Sequence, residues 1–439
     1  MNSVLAKGIF VGGLTGLLFG FDTAVIAGAT HGLTVTFTLT PAGLGWTVAS
    51  ALWGTLSGAL LAGYPGDRYG ARNCLRVIAG MYLLAALGSF AAPTLGWFIA
   101  ARVLGGLAIG ASTVLAPTYL AEIAPAQRRG ALVGVFQLNI VFGILVAYLS
   151  NYLIGMAGLG EQDWRWKFLV AAAPAALLGA QLFTIPNSPR WLAIRGRNAE
   201  AAAVLQRIGS GDAAAELARY GHTARAAQGA PARLSWRRHA RPMLLAMAVA
   251  AFNQLSGINA ILYYLNEIFM AAGFGRVSAA GQAVIIGATN LVFTLLALAV
   301  IDRVGRRFLL KIGSVGLIVA LAATAYIELT GTDQGALLWV LMLFIASFAF
   351  SQGAVIWVYI AEIFPTEVRA RGQSLGASTH WFMDALIATA FPIAAAYSRG
   401  LPFVFFALAM VVQLVVVTLF FPETRQVRLE DMGSVLERP

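Results

Sequence analysis

Long runs of apolar residues, separated by short polar stretches, dominate this chain. Each run is about 20 residues long, the length that an α-helix needs to cross the hydrocarbon core of a bilayer. A transmembrane β-strand would instead alternate apolar and polar positions over about 10 residues. The pattern predicts an all-α integral membrane protein with twelve transmembrane helices, over residues 8–28, 43–64, 74–92, 96–119, 130–153, 166–186, 243–270, 278–301, 308–328, 335–360, 371–396 and 401–421.

Three charged motifs occur twice, in the same order and at nearly the same separation. They are YLAEIAPAQRRG and YIAEIFPTEVRARG, GDRYGAR and DRVGRR, and PNSPR and PETR. The repeat indicates two homologous halves, which in an apolar chain are typical of a transporter with its substrate site between them. We predict an N-terminal six-helix bundle over 1–186, a cytoplasmic linker with short helices over 187–241, a C-terminal six-helix bundle over 242–421 and a cytoplasmic tail over 422–439.

Composition supports the membrane assignment. The chain is 59% hydrophobic and 11% charged, whereas a soluble protein of this length needs far more charge to cover its surface. The single cysteine, Cys74, excludes a disulfide framework within one chain. The first apolar run is too long for a signal peptide and contains Asp22, so we expect it to be a retained helix.

The distribution of basic residues predicts the orientation in the membrane. All but five of the 30 Lys and Arg residues fall on the side of the predicted bundle that holds both termini. Such a bias places both termini in the cytoplasm. The net charge of +11 is therefore a topology signal, and we predict no nucleic-acid partner. The five basic residues that do not fall on this side are Arg102, Arg165, Lys167, Arg276 and Arg399.

The short loops fit a prokaryotic inner membrane.

Glycines at helical spacing predict where helices pack closely. Small residues on one face of a helix permit close helix–helix contact in lipid. These glycines are Gly12, Gly16 and Gly20 in the first span, Gly54 and Gly58 in the second, and Gly106 and Gly110 in the fourth.

The composition of the linker predicts short helices. Residues 199–208 and 212–220 are rich in strong helix formers, while 221–235 could be a flexible linker.

The motifs together resemble those of the sugar porter family of the major facilitator superfamily, over almost the whole chain. The resemblance rests on FGFDTAVIAG, NQLSGINAILYY, PNSPRWL, PETR and the paired charged motifs, and it is greatest to bacterial xylose–proton symporters. It implies two pseudo-symmetric six-helix bundles and uptake of a pentose or hexose by proton symport through alternating access. The expected partners are a monosaccharide, protons and the bilayer, with the proton gradient in place of any cofactor, no metal, and a monomeric carrier.

Asp22 lies deep in the first predicted span, where a charge costs roughly 2.5–3.5 kcal/mol. A carboxyl there either holds its proton or has a cationic partner. Arg102, the one basic residue inside a span, is the natural partner. Proton-coupled sugar porters carry Asp and Arg at these positions, so the resemblance implies that the pair couples proton and sugar movement. The alternative is a purely structural ion pair.

Neutral amides and indoles suit a sugar, because amides both donate and accept hydrogen bonds and indole faces pack on C–H edges. Such side chains in a membrane span otherwise join helices. The resemblance assigns sugar contacts to Gln137, Asn253, Gln254, Asn259, Asn290, Trp357, His380 and Trp381.

Two of these positions depart from the family pattern. Asn253 stands where the family usually has glutamine, which would enlarge the pocket or remove a contact. His380 also replaces a glutamine, and Asp384 follows four residues later on the same helix face. The two could form a second titratable pair in the cavity, or each could point at a neighbouring helix.

The charged motifs end predicted spans at the cytoplasmic side. The family resemblance implies salt bridges that hold the two halves together there when the site opens outward; the alternative is that these arginines only anchor the topology. Ala71 and Asn187 replace a basic residue and a glutamate of the family pattern, so we expect a weaker set in the first half. The gate residues are Arg68, Arg72, Glu122, Arg129, Arg303, Arg306, Arg307, Glu362, Arg369 and Glu423.

Of three other functions, the sequence fits one and disfavours two. A proton-independent facilitator would have the same fold. A membrane sugar sensor would carry a long cytoplasmic tail, whereas about 18 residues follow Phe421. An enzyme is not expected, because no nucleophile–base pair, metal-ligand cluster or phosphate loop stands out. Pentose and hexose both remain open, since they differ by one hydroxymethyl group.

Overall fold

A computed structural model describes residues 3–124, 129–208, 214–218, 220, 234–365 and 368–425. Over these residues the chain is all-α, without strands. The helices are α1 (Ser3–Val25), α2 (Thr30–Phe37), α3 (Pro41–Leu61), α4 (Gly63–Tyr69), α5 (Ala71–Phe90), α6 (Leu95–Ile123), α7 (Arg129–Met156), α8 (Asp163–Leu169), α9 (Ala172–Leu182), α10 (Pro189–Ile194), α11 (Asn198–Ile208), α12 (Trp236–Leu255), α13 (Ile258–Tyr263), α14 (Leu265–Ala271), α15 (Arg276–Val304), α16 (Arg306–Thr330), α17 (Leu337–Phe350), α18 (Gln352–Glu362), α19 (Arg369–Tyr397) and α20 (Leu401–Phe420).

Ten of the described helical segments are long and apolar enough to cross a membrane. The two other predicted spans differ for separate reasons. The span over 166–186 is divided between α8 and α9. The span over 371–396 lies within α19, which is 29 residues long but carries polar side chains, among them His380 and Asp384.

The chain separates into two compact units. The first contains residues 1–23, 53–144 and 165–231, and the second contains 24–52, 145–164 and 232–439. The segments 24–52 and 145–164 join the second unit through tertiary contacts. Among these, the Tyr148 hydroxyl donates to the Leu262 carbonyl at 2.9 Å, and Thr30 donates to Glu267 at 3.0 Å. The boundaries of the two repeated halves stay a prediction from the sequence.

Glycines bring helices of the first unit into close contact, as their spacing predicts. A Cβ added at Gly16 or Gly20 of α1 would overlap backbone carbonyls of α7. Gly58 of α3 meets the backbone of α6 in the same way, and Gly110 of α6 meets α3. Substitution by any larger residue would therefore separate these helices, since backbone atoms cannot rotate out of the way.

The linker begins with two short helices attached to the first unit. Ser188 caps α10, and the Trp191 indole donates to the Asp67 carbonyl at 3.0 Å. A small buried cluster including Leu192 and Ala201 joins α10 to α11. The helix predicted over 199–208 is thus confirmed. The helix predicted over 212–220 is described only in part, and most of the 221–235 linker lies outside the described residues.

A break between α12 and α13 interrupts the helix within the second unit. Gly257 adopts φ +82°, a left-handed conformation that favours glycine, and its Cα faces the ring of Phe406. The helix axis is interrupted there, so the side chains of Gln254 and Asn259 come from two separate helices. This interruption places the amides of the NQLSGINAILYY motif around one point.

Candidate functional site

A buried ion pair lies within the first unit. Arg102 of α6 donates from Nη1 to Asp22 Oδ1 of α1 at 2.6 Å, and from Nη2 to the Asp22 carbonyl at 3.4 Å. Arg102 is 3% exposed and Asp22 is 8% exposed. The guanidinium carbon also lies 5.1 Å from the ring centroid of Phe168. The structure therefore brings together the two residues that the sequence assigns to proton coupling.

The ion pair leaves hydrogen-bonding capacity unused. Within the described parts of the chain, neither Asp22 Oδ2 nor Arg102 Nε has a hydrogen-bond partner. Breaking a buried pair by removing one charge typically costs about 3–5 kcal/mol, because the remaining charge is left uncompensated. A proton on Asp22 removes one charge without removing any atoms. The pair is thus suited to a change of state driven by protonation.

A connected group of polar side chains lies in the second unit, between α12, α13 and α19. Gln254 Nε2 lies 3.4 Å from Asn253 Oδ1 and 3.1 Å from a ring nitrogen of His380. Gln254 Oε1 accepts from Asn259 Nδ2 at 3.2 Å. We call this group the polar cluster; it consists of Asn253, Gln254, Asn259, Tyr263, His380 and Asp384.

Asp384 closes the other side of the polar cluster. Its Oδ2 accepts from Asn259 Nδ2 at 2.9 Å and from the Tyr263 hydroxyl at 3.0 Å. His380 and Asp384 share a face of α19, as their spacing indicates, and each bonds to side chains of α12 or α13. Both side chains therefore contact neighbouring helices, one of the two arrangements that the sequence left open.

Two indoles flank the polar cluster. The ring of Trp357 on α18 lies 5.0 Å from the His380 ring, and the Trp381 ring lies 5.1 Å from it. Trp357 is 37% exposed, whereas Trp381 is buried. Amides that donate and accept, beside aromatic faces, are the chemistry that a neutral polyol requires.

The structure gathers six of the eight predicted sugar-site residues around the polar cluster. Asn290 is buried on α15 and, among the described residues, makes no hydrogen bond to the cluster. Gln137 is half-buried on α7 and belongs to the first unit. The sequence reasoning missed Tyr263, although it lies four residues after Asn259 and therefore on the same helix face.

The charged motifs of the second unit form a compact network. Arg306 binds both oxygens of Glu362, at 3.1 and 2.9 Å, and Asp302 at 2.9 Å. Glu423 accepts from the backbone nitrogens of Arg306 and Arg307, both at 3.0 Å, and so caps the N-terminus of α16. This network ties α16, α18 and the segment after α20 together.

Arg306→Lys should lower the thermal stability of the purified protein. A lysine keeps the charge but loses the planar fork that binds both oxygens of Glu362, which we expect to cost about 1–3 kcal/mol. Thermal unfolding in detergent measures the loss. Arg303→Lys is the matched control, since Arg303 is exposed at the end of α15. Equal shifts in the two variants would contradict a specific role for Arg306.

The corresponding arginines of the first unit bind neutral side chains and a backbone carbonyl. Arg72 donates to the Ile185 carbonyl at 3.0 Å, and Arg68 donates to the Tyr64 hydroxyl at 2.8 Å. Glu122 lies on α6, and the Arg129 side chain is outside the described residues. In the second unit Arg369 donates to the Phe364 carbonyl at 3.3 Å. The gate function, and the weaker set in the first half, stay predictions.

Known proteins resemble this chain along nearly all of its length. The family model described as "Sugar (and other) transporter" matches residues 9–436. The D-xylose-proton symporter of Escherichia coli K12 is 32% identical over 464 aligned positions, covering 97% of this chain and 94% of its own. The D-xylose transporter of Levilactobacillus brevis is 35% identical over 435 aligned positions, covering 97% of this chain and 94% of its own.

Solved structures agree with the sequence comparisons. The inward open conformation of the xylose transporter XylE from E. coli has a TM-score of 0.88 and 29% identity to this chain. The match covers 99% of this chain and 100% of that one. The predicted all-α, twelve-helix major facilitator fold is therefore confirmed.

Proposed function

Because this chain belongs to the sugar porter family of the major facilitator superfamily, whose members are transporters and not enzymes, we propose that it takes up a monosaccharide by proton symport. The observation that carries the proposal is the buried pair of Asp22 and Arg102. The named relatives support it, since one of them is a D-xylose-proton symporter. We place the protein in an inner membrane, as a monomer with both termini in the cytoplasm.

The proton would act through the charge balance of the ion pair. Ionised Asp22 neutralises Arg102, and protonation of Asp22 leaves the guanidinium free to find another partner. A ligand shifts a two-state equilibrium only by its differential affinity for the two states, and a proton on Asp22 supplies such a difference. One charge that moves across 100 mV is worth about 2.3 kcal/mol, enough to drive accumulation.

The sugar would bind at the polar cluster, beside Trp357. Its hydroxyls would exchange hydrogen bonds with Gln254, Asn259 and His380, and its C–H face would pack on the indole. The cluster presents uncharged donors and acceptors at its open side, since Asn259 and Trp357 are partly exposed. A pentose or a hexose fits this chemistry better than an anionic substrate does.

Transport by reconstituted protein tests the proposal. The purified full chain in proteoliposomes should exchange one of a panel of pentoses, hexoses and inositols in a counterflow assay. An inward-directed proton gradient should then drive accumulation of that sugar, and an uncoupler should abolish the accumulation. Sugar movement that only equilibrates, with or without the proton gradient, would show a facilitator. No exchange of any sugar would contradict the proposed function.

A further inference from the structure

Asp384 is a second buried carboxyl, and its surroundings differ from those of Asp22. It is 1% exposed and accepts two hydrogen bonds, both at Oδ2 and both from neutral donors. Its Oδ1 is buried and has no hydrogen-bond partner among the described residues. Asp22, in contrast, is paired with Arg102 at 2.6 Å. One carboxyl is therefore charge-compensated, and the other is not.

No cation faces Asp384 from the described parts of the helices packed against α19. Helices α3 and α20 contain no ionisable residue, and α13 contributes the Tyr263 hydroxyl. On α18, Glu362 is bound to Arg306. On α19 itself, His380 lies one turn away and is bonded to Gln254. The ionisable residues of α12 are in its first six positions, far along the helix from Asn253: Arg237, Arg238, His239 and Arg241.

An ionised carboxylate without a cation is costly in such a place, and proteins usually neutralise the group instead. A protonated carboxyl keeps acceptor capacity for Asn259 and Tyr263, and it gains one donor. We propose that Asp384 carries a proton in this conformation and is a second proton-binding site, next to the sugar and separate from the pair of Asp22 and Arg102. This inference rests on the proposed symport, which it extends to the second unit.

Asp384 would act on the sugar through Asn259, as a positioning residue. Asn259 Nδ2 donates to both Gln254 Oε1 and Asp384 Oδ2, so both amide hydrogens are engaged and the amide oxygen is left for a ligand. A sugar bound at Asn259 would exclude water from Asp384 and further disfavour its ionised form. By linkage, a proton on Asp384 then favours sugar binding.

Infrared spectroscopy of the purified full chain, without sugar, tests the proton site directly. The carbonyl stretch of a protonated carboxyl should be present in wild type at neutral pH. It should disappear in Asp384→Asn and persist in Asp22→Asn. An unchanged band in Asp384→Asn would overturn the proposal, whether or not any sugar is transported.

Tyr263→Phe gives a second variant if Asp384→Asn does not fold. The phenol donates to Asp384 Oδ2 and so favours the ionised form. Its removal should shift titration of the infrared band to higher pH. A band that titrates as in wild type would assign the proton to another group and overturn the proposal.

The pH dependence of sugar binding tests the coupling. Above the pH at which the infrared band of the sugar-free protein titrates, affinity should fall as pH rises, by up to about tenfold per pH unit for one linked proton, in wild type and in Asp22→Asn. In Asp384→Asn this dependence should be lost. A pH dependence of affinity in Asp384→Asn equal to that of wild type would overturn the coupling.

An ionised Asp384 would give two different results. Wild type would show no band of a protonated carboxyl, and it would bind a 2-amino sugar in preference to the parent sugar. Together these results would overturn the proposal.

Discussion

Asp22→Asn should abolish accumulation of sugar against a gradient while leaving counterflow measurable. The amide keeps the size of the carboxyl and can still accept from Arg102, but it cannot carry the proton. Exchange requires only that the loaded carrier changes face, whereas accumulation requires that the proton moves with it. Parallel accumulation and counterflow assays in proteoliposomes separate the two. Asp333→Asn is the matched control, because Asp333 lies in an exposed turn with φ +53°, which asparagine tolerates.

The same substitution should also destabilise the protein, because it leaves Arg102 buried without a counter-charge. We expect a loss of about 3–5 kcal/mol, measured by thermal unfolding in detergent. The double variant Asp22→Asn with Arg102→Gln buries no charge, so it should recover stability without recovering accumulation. Accumulation of sugar by Asp22→Asn at the wild-type level would exclude Asp22 as the coupling residue. Accumulation by the double variant would exclude it as well.

The fold and the ion pair could be predicted because each depends on a strong local signal. Apolar runs of membrane length leave few alternatives to transmembrane helices, and the repeated motifs order them. Asp22 and Arg102 stood out because a charge inside a span requires compensation. Both signals are visible without knowing which helices touch.

The arrangement of the polar cluster could not be predicted in the same way. The spacing of His380 and Asp384 fixes their shared face on α19 but not the helix that meets it. That helix is α13, whose position depends on the break at Gly257. Similarly, the sequence repeat does not predict that 24–52 and 145–164 join the second unit, because contacts such as Tyr148 with Leu262 join residues over a hundred positions apart.

The two buried carboxyls, one in each unit, suggest two separate proton-linked contributions to transport. In the first unit the proposed proton site is an ion pair, with the charge balanced inside the site. In the second unit the carboxyl is joined through Asn259 to the amides proposed to bind sugar. If both carry protons, one responds mainly to the membrane gradient and the other mainly to the sugar. Proton stoichiometry in Asp384→Asn then becomes a measure of the second contribution.

Gln254→Ala should weaken sugar binding more than any other single change in the polar cluster. Gln254 joins Asn253, Asn259 and His380, and its loss leaves several buried polar atoms without partners. Removal of the hydrogen bonds that Gln254 is proposed to make to the sugar costs about 1–3 kcal/mol of binding free energy, so we expect affinity to fall about 10- to 100-fold. Equilibrium binding to the purified protein, by titration calorimetry, measures the change.

Gln413→Ala is the matched control for this prediction. Gln413 is also a buried amide of the second unit, but it bonds to the Gln352 side chain at 2.9 Å and lies outside the polar cluster. Its removal should lower thermal stability and leave sugar affinity unchanged. Because both variants delete one buried amide, a difference in affinity alone identifies the sugar site. Equal losses of affinity would mean that Gln254 acts only through general stability, and the sugar site would then lie elsewhere.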